Sequence, residues 1–201
     1  ALRDRAGELT DAIGTTINPS ELSPEQQARV LHALHQRFIL SPRAGLGVSF
    51  REDPVEEFKT VGVRIMATVE GFPAARLLQA NDLVLEASGA PLTGLPRGYG
   101  DLTLRHAILS LDPGEPIRLV VDRGGERLEL EVPTKSYSDL NQALPNSRFL
   151  EGAWRMRIER LGFGDHRVER LPDEEFEGWN ASYKRRQDVP GLLPAGRARP
   201  E

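Results

Sequence analysis

The sequence lacks cysteine and is poor in aromatic residues. None of its 201 residues is a cysteine, which excludes disulfides, thiol nucleophiles, thiolate zinc sites and iron–sulfur clusters. Aromatic residues make up 6% and hydrophobic residues 39% of the chain, so we expect one compact domain with flanking segments outside its core. No run of about 18 apolar residues is present, so no membrane span is predicted.

The charge balance argues against nucleic acid as a partner. The chain has 30 acidic and 26 basic residues, a net charge of −4, and no basic stretch dense enough to follow a phosphate backbone.

The first forty residues have helical signals. Ser23 is placed to cap a helix, with Pro24 at its first position and Gln26 at the capping-box position. Apolar residues then recur at helical spacing: Val30, Leu31, Leu34 and Phe38. A weaker amphipathic pattern over residues 2–13 predicts another helix upstream.

The pattern then changes to short strands separated by glycine, proline and acidic turns. We predict strands over residues 37–40, 47–51, 61–69, 83–88, 116–122 and 127–132, and short helices over 73–78 and 102–111. Gly124-Gly125 predicts a tight hairpin turn between the last two strands. Residues 150–161 favour a further helix, and the composition of 162–201 is that of an extended arm. The predicted organisation is an extension at 1–36, a domain at 37–133, and a connector, helix and arm at 134–201.

One glycine-containing segment predicts an anion site. Two glycines flanking an apolar residue allow a loop whose successive backbone N–H groups point the same way, and such a nest binds anions, including a peptide's terminal carboxylate. A basic residue upstream can add charge directly or through water, and apolar neighbours can form a socket for the last ligand side chain. The alternative is a simple tight turn. The candidate residues are Arg43, Gly45, Leu46, Gly47, Val48, Ser49 and Phe50.

Three motifs in this region together resemble the PDZ domain family. Gly45-Leu46-Gly47-Val48 matches the family's Gly-Φ-Gly-Φ carboxylate loop. A second segment is similar to the family's Gly-x-Pro-Ala, short helix and Gly-Asp pattern: Gly71-Phe72-Pro73-Ala74, followed by Asn81-Asp82. Asn81 replaces the usual glycine, and asparagine tolerates the left-handed conformation. The third segment looks like the bacterial branch found in high-temperature-requirement serine proteases and carboxy-terminal processing proteases, and it includes Leu104, Ile108 and Pro113-Gly114.

The resemblance covers residues 37–133 and implies both a fold and a binding mode. The implied fold is α+β, a PDZ-like, five- to six-stranded, partly open β-barrel with two helices, here with an N-terminal helical extension and a C-terminal helix and arm. The implied mode is β-strand addition: a peptide lies beside residues 48–51 with its carboxylate on the amides of Leu46, Gly47 and Val48.

The helix over 102–111 would form the opposite wall of the groove, in one of two registers. Either Leu104, Ile108 and Leu111 face the peptide, or Thr103, Ala107 and Ser110 do. We favour the first set. His106 lies on neither face, so a preference for Ser or Thr two residues before the ligand's end is not expected, and an apolar or unselective preference is.

No catalytic signature is present. The chain has no Gly-x-Ser-x-Gly, His-Glu-x-x-His or phosphate-binding glycine loop. His32 and His35 are three residues apart but have no third ligand at helical spacing, so we expect no metal site. We expect no cofactor either, and we expect His106 and His166 to be surface residues.

The sequence therefore predicts a noncatalytic interaction module that binds protein C-termini or extended peptides. The family resemblance implies a scaffold or targeting subunit of an envelope assembly, outside the cytoplasm. Two alternatives stay open: a regulatory fragment of a serine peptidase whose catalytic domain lies outside this chain, and a structural interaction protein whose groove is filled by its own flanks. The aromatic residues of the C-terminal arm suit docking onto its own domain, onto a second copy of the chain or onto another protein.

Overall fold

The structure is a computed structural model, and it describes residues 18–55, 60–140, 145 and 147–163. The helix predicted over 2–13 and nearly all of the predicted C-terminal arm lie outside the described residues.

The described part of the chain contains four α-helices and eight strands. The helices are α1 (Pro24–Leu40), α2 (Ala74–Leu77), α3 (Tyr99–Leu109) and α4 (Ser147–Arg160). The strands are β1 (Ala44–Gly45), β2 (Val48–Val55), β3 (Thr60–Thr68), β4 (Leu83–Ala87), β5 (Ala90–Pro91), β6 (Pro116–Arg123), β7 (Glu126–Pro133) and β8 (Lys135–Ser136). Short 3₁₀ turns span Pro19–Glu21 and Tyr137–Leu140.

The main sheet is antiparallel, with strand order β2-β3-β4-β6-β7 and β5 paired to β4. A separate two-stranded ladder joins β1 to β8. The β6–β7 hairpin turns at Gly124-Gly125, both at positive φ (64° and 92°), as their sequence predicted. The α+β fold is confirmed; the strands form an open sheet with β2 at one end of the strand order, not a closed barrel.

The main core lies between the sheet and α3. Buried side chains of α3 pack against buried residues of β3, β4 and β6, and burial of such apolar surface is the main favourable contribution to folding. The α3 residues in this core are Leu104, Ala107 and Ile108, with Leu111 just after the helix.

The flanking helices form a second core on the other side of α3. Leu34 and Phe38 of α1 pack with Trp154 and Ile158 of α4, and Leu109 of α3 joins them. The ring centres of Phe38 and Trp154 are 5.5 Å apart. The segments on both sides of the predicted domain are therefore packed onto it.

One predicted strand is wrong. Residues 37–40 form the last turn of α1. The predicted capping box is present, with reciprocal bonds between Ser23 and Gln26. Phe38, which the sequence placed on the apolar stripe of the helix, is buried against Trp154, and the helix continues through Leu40 instead of changing to a strand.

Candidate functional site

A groove runs between the edge strand β2 and helix α3. One side of β2 pairs with β3, with Val48 opposite Thr68, and no described strand pairs with its other side. Ala44 N–H donates to the carbonyl of Leu111 at 3.2 Å, so the end of α3 lies beside the loop that precedes β2. A cavity of about 240 Å³ lies in this groove.

The cavity brings together most of the sequence-predicted residues. Its lining contains the loop and strand residues Gly45, Leu46, Gly47, Val48, Ser49 and Phe50, the α3 residues Arg105, Ile108 and Leu109, and four residues from the segment after the sheet: Tyr137, Leu140, Pro145 and Phe149.

Gly47 fixes the conformation of the loop. Its φ is +73°, and a Cβ at this position would lie 2.2 Å from Cγ of Phe72, so no other residue fits without displacing that buried ring. Its carbonyl accepts a hydrogen bond from Val69 N–H at 2.7 Å. The loop is therefore held both by packing and by hydrogen bonding to the end of β3.

The loop leaves backbone donors for a ligand. Within the described part of the chain, the N–H groups of Leu46 and Gly47 have no hydrogen-bond acceptor. Because Gly47 bonds toward β3, and bonded and unbonded positions alternate in an antiparallel pair, Val48 presents its N–H to the free side of β2. Three successive amides are thus available to an anion at one end of the groove.

The face that α3 turns to the groove differs from the favoured register. Ile108 lines the cavity, but Leu104 and Leu111 are buried in the main core, with relative exposures of 0% and 1%. Arg105 and Leu109 line the cavity with Ile108. The spacing of apolar residues did not reveal which side of α3 lines the groove because two faces of the helix are apolar. The helix buries one of them against the sheet and the other against the flanking helices.

Arg43 lies away from the groove, in a buried charge cluster. Its guanidinium bonds the carboxylate of Asp112 at 2.7 Å and lies 4.3 Å above the ring centre of Phe38. Arg157 of α4 bonds the same carboxylate at 2.6 Å and also donates to the carbonyl of Ser110. The cluster therefore joins both flanking helices to the domain, which the sequence did not indicate.

Burial and charge shift the pKa values of this cluster. Burial lowers the pKa of Arg43 to about 10, even though Asp112 counteracts it, so Arg43 stays protonated at neutral pH. Burial alone would raise the pKa of Asp112, but hydrogen bonding and the charges of Arg157 and Arg43 outweigh it and hold that pKa below its ordinary value of 3.8.

The segment after the sheet adds a third wall to the groove. Tyr137 N–H donates to the carbonyl of Arg43 at 2.7 Å, and a Cβ on Gly45 would lie 3.0 Å from Cα of Tyr137 and 3.2 Å from Leu140. Phe149 of α4 lies farther along the cavity. The sequence assigned these residues to a connector and gave no signal of their place in the site.

Glu52 joins β2 to the start of α3. Its carboxylate accepts hydrogen bonds from the N–H groups of Gly98 at 2.5 Å and Asp101 at 3.0 Å, at the start of α3. A carboxylate is favourable there because the helix N-terminus carries unpaired donors and partial positive charge. Glu52 thereby fixes the distance between β2 and the start of α3.

The expectation that His106 is a surface residue is wrong. His106 is half-buried against α4, where a Cβ on Gly152 would lie 2.0 Å from its ring, and its buried Nε2 has no hydrogen-bond partner among the described residues. Burial, helped by the positive charges of Arg155 and Arg148, lowers its pKa. His166 lies outside the described residues.

His35 packs against Trp154, with ring centres 5.0 Å apart. Burial, together with the charge of His32, lowers the pKa of His35. Among the described residues, no group of three or more acidic or histidine side chains is arranged to hold a metal ion.

The family comparison identifies the domain. Residues 44–134 match the model of the PDZ domain family, so the chain contains a PDZ domain, as its motifs indicated. No described helix is long and apolar enough to cross a membrane.

Part of the chain is also similar to solved protein structures. The chain is similar to the HtrA3 PDZ domain bound to a phage-derived ligand, with 17% identity and a TM-score of 0.39, over 51% of this chain and 96% of that one. It is similar to the HtrA-type protease AlgW with a decapeptide, with 23% identity and a TM-score of 0.40, over 57% of this chain. It spans about a third of that protease, 35% of its length. No curated protein matches the chain.

Proposed function

We propose that the chain is a noncatalytic receptor for peptide C-termini, bound by strand addition to β2. The observation that carries this proposal is the row of three amides at Leu46, Gly47 and Val48, which have no hydrogen-bond acceptor among the described residues. They lie at the start of a strand that has no described partner on its outer side. A terminal carboxylate can accept bonds from these amides while the peptide backbone pairs with β2. Ile108 and Leu109 provide apolar contact for the last ligand side chain.

The role of scaffold or targeting subunit in an extracytoplasmic assembly is part of the same proposal. Its support is the resemblance of the motifs in residues 37–133 to the PDZ branch found in high-temperature-requirement serine proteases and carboxy-terminal processing proteases. Self-association through the C-terminal arm concerns residues outside the described part of the chain and stays a prediction.

Fluorescence polarisation with a random-C-terminus peptide library tests the proposal. We expect binding by peptides with a free carboxylate, and loss of binding when the same peptides are amidated. Gly47→Pro, which removes one amide donor and distorts the loop, should also abolish binding. Gly89→Ala is a matched control, because Gly89 has positive φ at a turn with nothing within 4 Å of an added Cβ. Binding that is indifferent to both amidation and Gly47→Pro would refute the proposal.

A second candidate function is favoured by the third wall of the groove. Because Tyr137, Leu140 and Phe149 line the cavity, the flanking segment could itself fill the site, making the chain an interaction protein with a self-occluded groove. In that case Phe149→Ala should strengthen binding of free-carboxylate peptides by opening the cavity. Unchanged or weaker binding would exclude this candidate.

A further inference from the structure

Arg105 is held in the groove from three sides. Its guanidinium carbon lies 4.8 Å from the ring centre of Phe50 on β2 and 5.7 Å from that of Phe149 on α4. Its Nε and Nη2 donate to the carboxylate of Asp101 at 2.8 and 3.2 Å. Cation–π contacts with two rings and an ion pair one helical turn away fix the orientation of the guanidinium.

One edge of this guanidinium remains available. Within the described part of the chain, Nη1 of Arg105 has no hydrogen-bond acceptor, and the side chain is 39% exposed in the groove. A guanidinium carries five N–H donors in a planar fork that matches a carboxylate. Asp101 engages only one side of that fork.

The geometry relates Arg105 to one position of a bound peptide. This step rests on the proposed function, which places the terminal carboxylate at Leu46–Val48. The end of α3 lies beside that loop and its start lies beside Glu52, so moving along the peptide away from its carboxylate follows α3 from Leu109 back toward Tyr99.

The spacing of same-side residues along the bound peptide is close to the rise of one turn of α3. Alternate residues of a strand point to the same side and are about 6.6–6.8 Å apart, and one turn of α-helix rises about 5.4 Å. When the last ligand side chain contacts Ile108 and Leu109, the side chain two residues earlier faces Arg105, one turn back.

We propose that Arg105, oriented by Asp101, Phe50 and Phe149, selects peptides with an acidic side chain two residues before the C-terminus. This replaces the apolar or unselective preference that the sequence suggested. Phe149 belongs to α4, beyond the PDZ domain at residues 44–134. The flanking helix therefore contributes to the specificity of the groove.

The test compares two peptides that differ only by Glu or Gln two residues before a free C-terminus. With the full chain we expect the Glu peptide to bind about five- to ten-fold more tightly, since hydrogen bonds between charged groups are roughly twice as strong as neutral ones. The ratio should shrink as salt is raised. In Arg105→Gln this ratio should fall to about one.

Arg118→Gln is the control variant. Arg118 forms an exposed ion pair with Glu129, with relative exposures of 60% and 62%, and its replacement changes the net charge by the same amount. It should keep the wild-type ratio. Phe149→Ala should lower the ratio by releasing one side of Arg105, while urea unfolding confirms that each variant is folded.

The outcomes separate this proposal from the one on which it rests. Carboxylate-dependent binding with equal affinity for the Glu and Gln peptides would overturn the role of Arg105 and leave the C-terminal receptor standing. Retention of the ratio in Arg105→Gln would do the same. Absence of carboxylate-dependent binding by any peptide would overturn both.

Discussion

Replacing Asp112 with asparagine should destabilise the protein strongly. Asp112 is the shared counter-charge of Arg43 and Arg157, whose side chains are each 5% exposed, while its own is 25% exposed. Asparagine keeps the shape but removes the charge of the carboxylate to which both buried guanidinium groups are bonded. Such a loss costs about 3–5 kcal/mol for a fully buried pair. We expect about 3 kcal/mol, since the carboxylate is partly exposed.

That loss would be a large fraction of a typical unfolding free energy of about 5–15 kcal/mol. Urea denaturation followed by tryptophan fluorescence measures it directly, because Trp154 lies in the core between α1 and α4. Glu151→Gln is the matched control on the same helix. It breaks an exposed pair with Arg155, with exposures of 66% and 72%, and should cost less than about 1 kcal/mol.

A double-mutant cycle and a pH series complete this prediction. Arg157→Met should recover part of the loss in the Asp112→Asn background, because it removes one of the unpaired charges. Since the folded pKa of Asp112 is below its ordinary value of 3.8, its stabilisation should be complete above that value and decline as pH falls through the folded pKa. A cost of Asp112→Asn as small as that of Glu151→Gln would refute the reasoning.

Three further perturbations follow from the packing. Gly47→Ala should cost clearly more in urea unfolding than Gly71→Ala, because both residues have positive φ but only Gly47 would place a Cβ against Phe72; equal costs would contradict this. Gly152→Ala should destabilise the protein because the new Cβ would overlap the His106 ring, although alanine normally favours a helix over glycine by up to about 1 kcal/mol. A rise in the urea midpoint would disprove the contact. Burial lowers the pKa of His106 below 6.5, so the unfolding free energy should fall as pH drops through about 6.5, because the unfolded chain then binds the proton more tightly than the folded one. His106→Gln should reduce this pH dependence. An NMR titration midpoint of His106 above 6.5 would contradict its burial.

Much of the architecture could be predicted because local chemistry specifies it. The capping box at Ser23 started α1 where expected, and the Gly124-Gly125 pair made the hairpin. In each case the determining atoms lie within a few residues of each other. The buried face of a strand can likewise be predicted where apolar and polar residues alternate along it.

The remaining features depend on partners distant in sequence. Phe38 of α1 packs against Trp154, and Arg43 turns away from the groove because Asp112 and Phe38 hold it. The face of α3 toward the groove was ambiguous because the helix is covered on two sides, and Phe149 had no local signal of its position. The contacts of Trp154 and Phe149 form only when α4 packs onto the domain.

The most direct test of the central claim is a ¹⁵N–¹H correlation NMR titration of the full chain with a binding peptide and with its amidated twin. Our account predicts large downfield shifts of the Leu46, Gly47 and Val48 amide protons with the free carboxylate, reflecting new hydrogen bonds, and none of comparable size with the amide. Binding that leaves these three amides unshifted, or shifts them equally with the amidated peptide, would contradict it.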